Sequence, residues 1–233
     1  MTPEDIGRRL EDAAQLAFPE GGAGDRAAAQ RAEAAILGDL RPVNPMAPDW
    51  LHALILVLWF VAAAVDSASF LGMEGLRALG NGQAALIFAA LLSAGWLGAV
   101  ACARLMRPAT GRNLGPTAWV LACSLVAVVF AILFHGYDTA HFVQDGIPCL
   151  RAGLFIATPT GLVIGLLLRR GLVLNWGAAG LAAGTVAGLA GLGMLELHCP
   201  NLKAVHVLVW HVAVVAVSGG LGFALGRMSG EFE

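Results

Sequence analysis

From Trp50 onward the chain alternates long apolar runs with short polar breaks, and six runs reach the roughly 17–20 residues that cross a hydrocarbon core. They lie near 50–68, 84–103, 117–135, 151–168, 176–197 and 204–225. The first is the least even, since Asp66 and two serines follow its most apolar part and put Ser67 to Gly72 at an interface. Before residue 50 the pattern is different. Thr2, Pro3, Ile6 and Leu10 predict a helix over 2–17, which Phe18-Pro19-Glu20-Gly21-Gly22 ends. Asp25 caps a second helix to about Leu40, with Ala29, Ala32, Ile36 and Leu40 on one stripe. Pro42, Pro45 and Pro48 then form a stiff spacer. The expected architecture is all-α and polytopic: a short helical tail (1–49), a six-helix transmembrane domain (50–226) and a C-terminal tail (227–233).

Composition agrees with the pattern. A chain that is 58% hydrophobic and 13% charged is too apolar for a water-soluble domain, in which the apolar share is about 45–50%. A net charge of -2 without any basic run excludes direct nucleic-acid binding of the usual phosphate-neutralising kind. The N-terminal region has no apolar run of signal-peptide type. No phosphate loop, nucleophile elbow or His-Glu-x-x-His pattern is present, so an enzyme is not expected.

Six crossings put both termini on one side, and charge says which. Arg8, Arg9, Arg26, Arg31, Arg41, Arg104, Arg107, Arg112, Arg169, Arg170 and Arg227 fall on the side of the termini, against Arg77, Arg151 and Lys203 opposite. Such a bias marks the cytoplasmic face. The expected location is therefore the bacterial inner membrane, multi-pass, with N- and C-termini cytoplasmic.

Two of the four cysteines then face an oxidising space. Cys149, in Ile147-Pro148-Cys149-Leu150, and Cys199, in His198-Cys199-Pro200, stand at the mouths of apolar segments joined by a short turn. Neighbouring helix ends can meet the Cα spacing of about 7 Å or less that a disulfide needs. A permanent staple, a switchable pair and a metal-binding pair all remain open. Cys102 and Cys123 read as small core residues on the reduced side. Five of six histidines, His135, His141, His198, His206 and His211, share the half of Cys149 and Cys199, beside Asp138, Asp145 and Glu196. Thiolate and imidazole there suit zinc or copper, with His198, Cys199, His206 and Cys149 as candidate ligands. His206 and His211, five apart, stand about 140° apart around an α-helix and do not squarely face one ion. Metal handling or transport is the rival reading, although no inverted repeat is evident.

The Asp39-Leu40-Arg41-Pro42-Val43-Asn44-Pro45 segment, the Pro148-Cys149-Leu150 entry, the Leu167-Leu168-Arg169-Arg170-Gly171 exit and the His198-Cys199-Pro200 turn, in that order, resemble the NrsF family of membrane anti-sigma factors. The resemblance runs from about Leu37 to the sixth segment. It implies six membrane helices and a cytoplasmic tail that sequesters an extracytoplasmic-function sigma factor. Ile36, Leu37, Asp39, Leu40, Arg41, Pro42 and Val43 are the expected contacts. It also implies that Cys149 and Cys199 take part in the signal response.

Overall fold

The computed structural model describes residues 30, 31, 33 and 34, 48–107 and 116–230, except the side chains of 116–123 and 230. Two units are present, Met1–Met46 and Ala47–Glu233. In the first, Gln30, Arg31, Glu33 and Ala34 are helical and exposed, within the second expected tail helix. The helix expected over 2–17 and the contacts Ile36, Leu37, Asp39, Leu40, Arg41, Pro42 and Val43 lie outside the described residues.

The second unit is helical, with no strand among the described residues: α1 (Asp49–Leu71), α2 (Glu74–Ala78), α3 (Asn81–Leu105), α4 (Pro116–Leu133), α5 (Phe142–Leu168), α6 (Trp176–His198) and α7 (Ala204–Ser229). Among the described residues five helices, α1, α3, α5, α6 and α7, are long and apolar enough to cross a membrane. The remaining expected crossing coincides with α4, an 18-residue helix of which Ser124–Leu133 is a shorter apolar stretch.

Contacts between helix ends fix the directions. Asp49 meets Arg107 at 3.1 Å, and the Leu172 N–H donates to the Met106 carbonyl at 3.0 Å. One end thus gathers the start of α1, the exit of α3 and the α5–α6 turn. At the opposite end the Gln83 amide donates to the Leu133 carbonyl at 3.0 Å. Nearby, the Ala204 N–H donates to the Gly136 carbonyl at 3.0 Å, and Lys203 pairs with Asp138 at 2.7 Å. Helices α1 and α6 therefore run one way and α3, α5 and α7 the other.

Two boundaries differ from expectation for clear reasons. The polar residues at the end of the first segment do not leave the helix: Ser67 and Ser69 donate to the carbonyls four residues back, Ala63 at 2.6 Å and Val65 at 2.8 Å. A helix hides such hydroxyls at little expense, and α1 runs on until Gly72, whose φ of 100° only glycine adopts readily. The fourth segment begins at Phe142, not at 151, so Pro148 and Cys149 lie inside α5. Proline there removes one backbone donor without ending the helix. Pro159 lies within α5 as well, flanked by Thr158 and Thr160, which donate to the Leu154 and Ile156 carbonyls at 2.8 and 2.9 Å.

The core is built around α6. In its most apolar window 83% of positions are buried, against 22% for α1 and α5. Small residues make that possible, because helices without bulky side chains approach closely in lipid. A Cβ on Gly180 would strike the Gly222 carbonyl, one on Gly184 the Ser218 carbonyl, and one on Gly226 the Trp176 carbonyl. Glycines four apart on each helix, Gly180 and Gly184 with Gly222 and Gly226, thus seal α6 against α7 within the chain.

Candidate thiol and metal site

At its Cys199 end this tightly sealed helix carries a carboxylate. Glu196 and His211 are each only 1% exposed, and His211 Nδ1 donates to Glu196 Oε1 at 2.7 Å. A buried carboxylate needs such a partner, since desolvation penalises an unpaired charge heavily. The hydrogen bond commits the Nδ1 proton to glutamate and leaves the lone pair of Nε2 on the far side of the ring. That Nε2 is buried without a hydrogen-bond partner within the protein.

Around it stand three more groups. Cys149 Sγ and Cys199 Sγ are 3.6 Å apart, and both are free thiols. Cys199 Sγ is also 3.6 Å from His206 Nε2. The His206 and His211 rings meet edge to face, their centroids 5.1 Å apart. One ligand atom from each of Cys149, Cys199, His206 and His211 lies within 4.8 Å of all the others, and the set could hold a metal ion. Cys199, in the loop after α6, is drawn below the usual thiol range by its hydrogen bond to Cys149, and further by His206 and His211.

Backbone geometry explains how two histidines five residues apart reach one place. Val207–His211 is a π-helical turn, and the Val212 N–H bonds back to the Val207 carbonyl. Bonding from i to i+5 brings residues five apart nearly into line, where an α-helix would splay them. The expected conflict between His206 and His211 is removed by this one turn. His198 is a correction in the other direction: it is not among the four converging residues, and its Nδ1 is 3.0 Å from the Gly72 carbonyl. His198 closes α6, while Cys199 follows it in extended backbone, so the two side chains do not converge. The sequence did put His211 and Glu196 in the same half as the two cysteines; what it lacked was the π-turn. Cys102 is fully buried core, as expected, and Cys123 lies outside the described side chains.

The cluster is also joined to the first helix. Cys149 and Leu150 pack with Leu195 and Leu197 of α6 against Ala64 and Ala68 of α1. In α2, Gly75 lies so close that a Cβ would come within 2.7 Å of both the Glu196 and Cys199 carbonyls.

Residues 37–229 match the family model NrsF, negative regulator of sigma F. The chain belongs to the NrsF family. The match starts ahead of α1 and ends with α7, so it takes in the whole helical unit. Membership carries negative regulation of a sigma factor. No curated protein and no solved structure matches the chain.

Proposed function

We propose that this NrsF-family chain is an anti-sigma factor of the bacterial inner membrane that crosses the bilayer six times and keeps both termini in the cytoplasm. Residues 1–49 sequester an extracytoplasmic-function sigma factor, through amphipathic helices and the segment holding Ile36, Leu37, Asp39, Leu40, Arg41, Pro42 and Val43. A change at Cys149 and Cys199 on the outer face controls release. The observation that carries this reading is a family match spanning both the end of the tail and the helical unit. Eleven of fourteen basic residues on the side of the termini support the orientation. Convergence of the two thiols, with Cys149 packed on a cluster that includes Ala64 and Ala68 of α1, supports the coupling.

Magnitudes limit how release works. Moving a complex from mostly bound to mostly free takes about 5.5 kcal/mol of differential binding, whereas one disulfide contributes about 2–4 kcal/mol. Chemistry at the pair therefore has to repack α5, α6 and α1 together.

The test is co-purification of the full-length chain with sigma factors of its host, before and after thiol oxidation, with labelling of intact cells by an impermeant maleimide. A sigma factor retained by the reduced chain, lost on oxidation, and still retained under oxidation by Cys149→Ser is expected. Failure to retain any sigma factor, or labelling of Cys149 from the cytoplasm alone, overturns the reading. A second reading, metal handling or transport, draws on the same four-residue cluster; it requires metal flux that persists when residues 1–49 are removed.

A further inference from the structure

We infer that Cys149 and Cys199 are half of a closed tetrahedral site for a divalent zinc-type cation, completed by His206 Nε2 and His211 Nε2, with Glu196 as the carboxylate that orients His211. The inference rests on the sensing role proposed for the cysteine pair and names what the pair senses.

Distances come first. Around zinc, bonds of about 2.3 Å to sulfur and about 2.0–2.1 Å to nitrogen make tetrahedral edges of about 3.8 Å between sulfurs and about 3.6 Å between sulfur and nitrogen. Both measured separations, sulfur to sulfur and Cys199 Sγ to His206 Nε2, are 3.6 Å. Second comes the orphaned nitrogen. His211 Nε2 is buried with no protein partner, on a ring whose other nitrogen is held by Glu196. A ligating imidazole usually donates its second N–H to a carboxylate in this way. Third, the backbone departs from α-helix over just the five residues Val207–His211, and such π-turns gather at functional sites.

The donor set selects the ion. Two sulfurs and two nitrogens in a tetrahedron suit zinc, and four protein ligands leave no open position for a substrate, as in a structural or regulatory site. As the ion binds, each thiol still protonated releases its proton to solvent and a metal–sulfur bond replaces the S–H bond. Two thiolates then offset the charge of the dication, and Glu196 keeps its hydrogen bond to His211. No electron is transferred. His135 and His141, exposed at the same end, take no part.

The experiment uses the purified full-length chain in detergent, with Zn2+ and Co2+ as probes. One zinc per chain is expected. Co2+ should give sulfur-to-cobalt charge-transfer absorption together with the visible bands of a tetrahedral ion. Zinc should slow the reaction of Cys149 and Cys199 with a thiol reagent at least tenfold, and a chelator should restore it; this readout needs no variant. Glu196→Gln should weaken zinc about 10–100-fold, His211→Ala should weaken it further, and a His135→Ala/His141→Ala double variant should bind like the parent. Octahedral cobalt without sulfur absorption, or thiol reactivity unchanged by zinc, overturns the site. Those outcomes leave retention of a sigma factor untouched. Zinc bound as described but with no sigma factor retained by the chain would instead sink the anti-sigma reading and leave the site standing.

Discussion

Helices α6 and α7 meet twice, and the two meetings are made differently. Toward the Asp49 end, Gly180, Gly184, Gly222 and Gly226 press backbone against backbone, with no ionisable side chain among them. Toward the Cys199 end the same helices are bridged by Glu196, Cys199, His206 and His211, all buried. A backbone seam has one arrangement and nothing a small solute can change. A cluster of ionisable groups in a dry setting is worth a great deal when complete and little when half-complete. The first region fixes the pair in register; the second makes one end of it conditional.

Breaking the conditional end should do the most harm. His211→Leu leaves Glu196 buried without its partner, and removing one member of a buried pair costs about 3–5 kcal/mol. Thermal unfolding in detergent should register that loss, and Glu196→Leu/His211→Leu together should recover most of it. If the double variant is no better than the single one, the pair is not what makes this end fragile. The seam comes next. Gly184→Val drives a side chain into the Ser218 carbonyl, and overpacking of this kind costs about 1–3 kcal/mol. Gly220→Ala, with nothing within 4 Å of the new atom, is the matched control and should unfold like the parent.

The smallest effect belongs to the surface pair Lys203–Asp138 at 2.7 Å. The ammonium beside it holds the Asp138 carboxyl below the usual aspartate range, helped by the Ala140 N–H. A depressed folded-state pKa means that whatever the pair contributes is present at neutral pH and fades as pH falls through that lowered value. Asp138→Asn should therefore change stability only slightly at pH 7, and the difference should vanish at acid pH or in high salt. An effect as large as that of His211→Leu would contradict the distinction between buried and exposed charge on which this ranking depends.

How much of this was legible depended on whether one helical period was enough. Five long apolar helices and the approach of Cys149 to Cys199 follow from counting residues along an α-helix and from the alternation of directions. The start of α5 did not, because Pro148 looks like a boundary while a helix that has already begun tolerates it. The convergence of His206 with His211 was hidden for a related reason. A 100° step sets residues five apart on different sides of an α-helix, whereas one i+5 turn brings them together. No local composition announces such a turn. Its signature is only visible afterwards, as two histidines spaced one π-repeat apart beneath a buried glutamate.

Helix α1 is gripped at its two extremities by unlike partners. At its first residue Asp49 is clasped by Arg107 from the exit of α3; beyond its last turn, Gly75 rests on the carbonyls of Glu196 and Cys199. Between those points Ala53, Leu56, Phe60, Ala64 and Ala68 are buried along one face. A shift of the Cys199 backbone that reached α2 would therefore meet a helix held along its whole length, and could move it only as one piece.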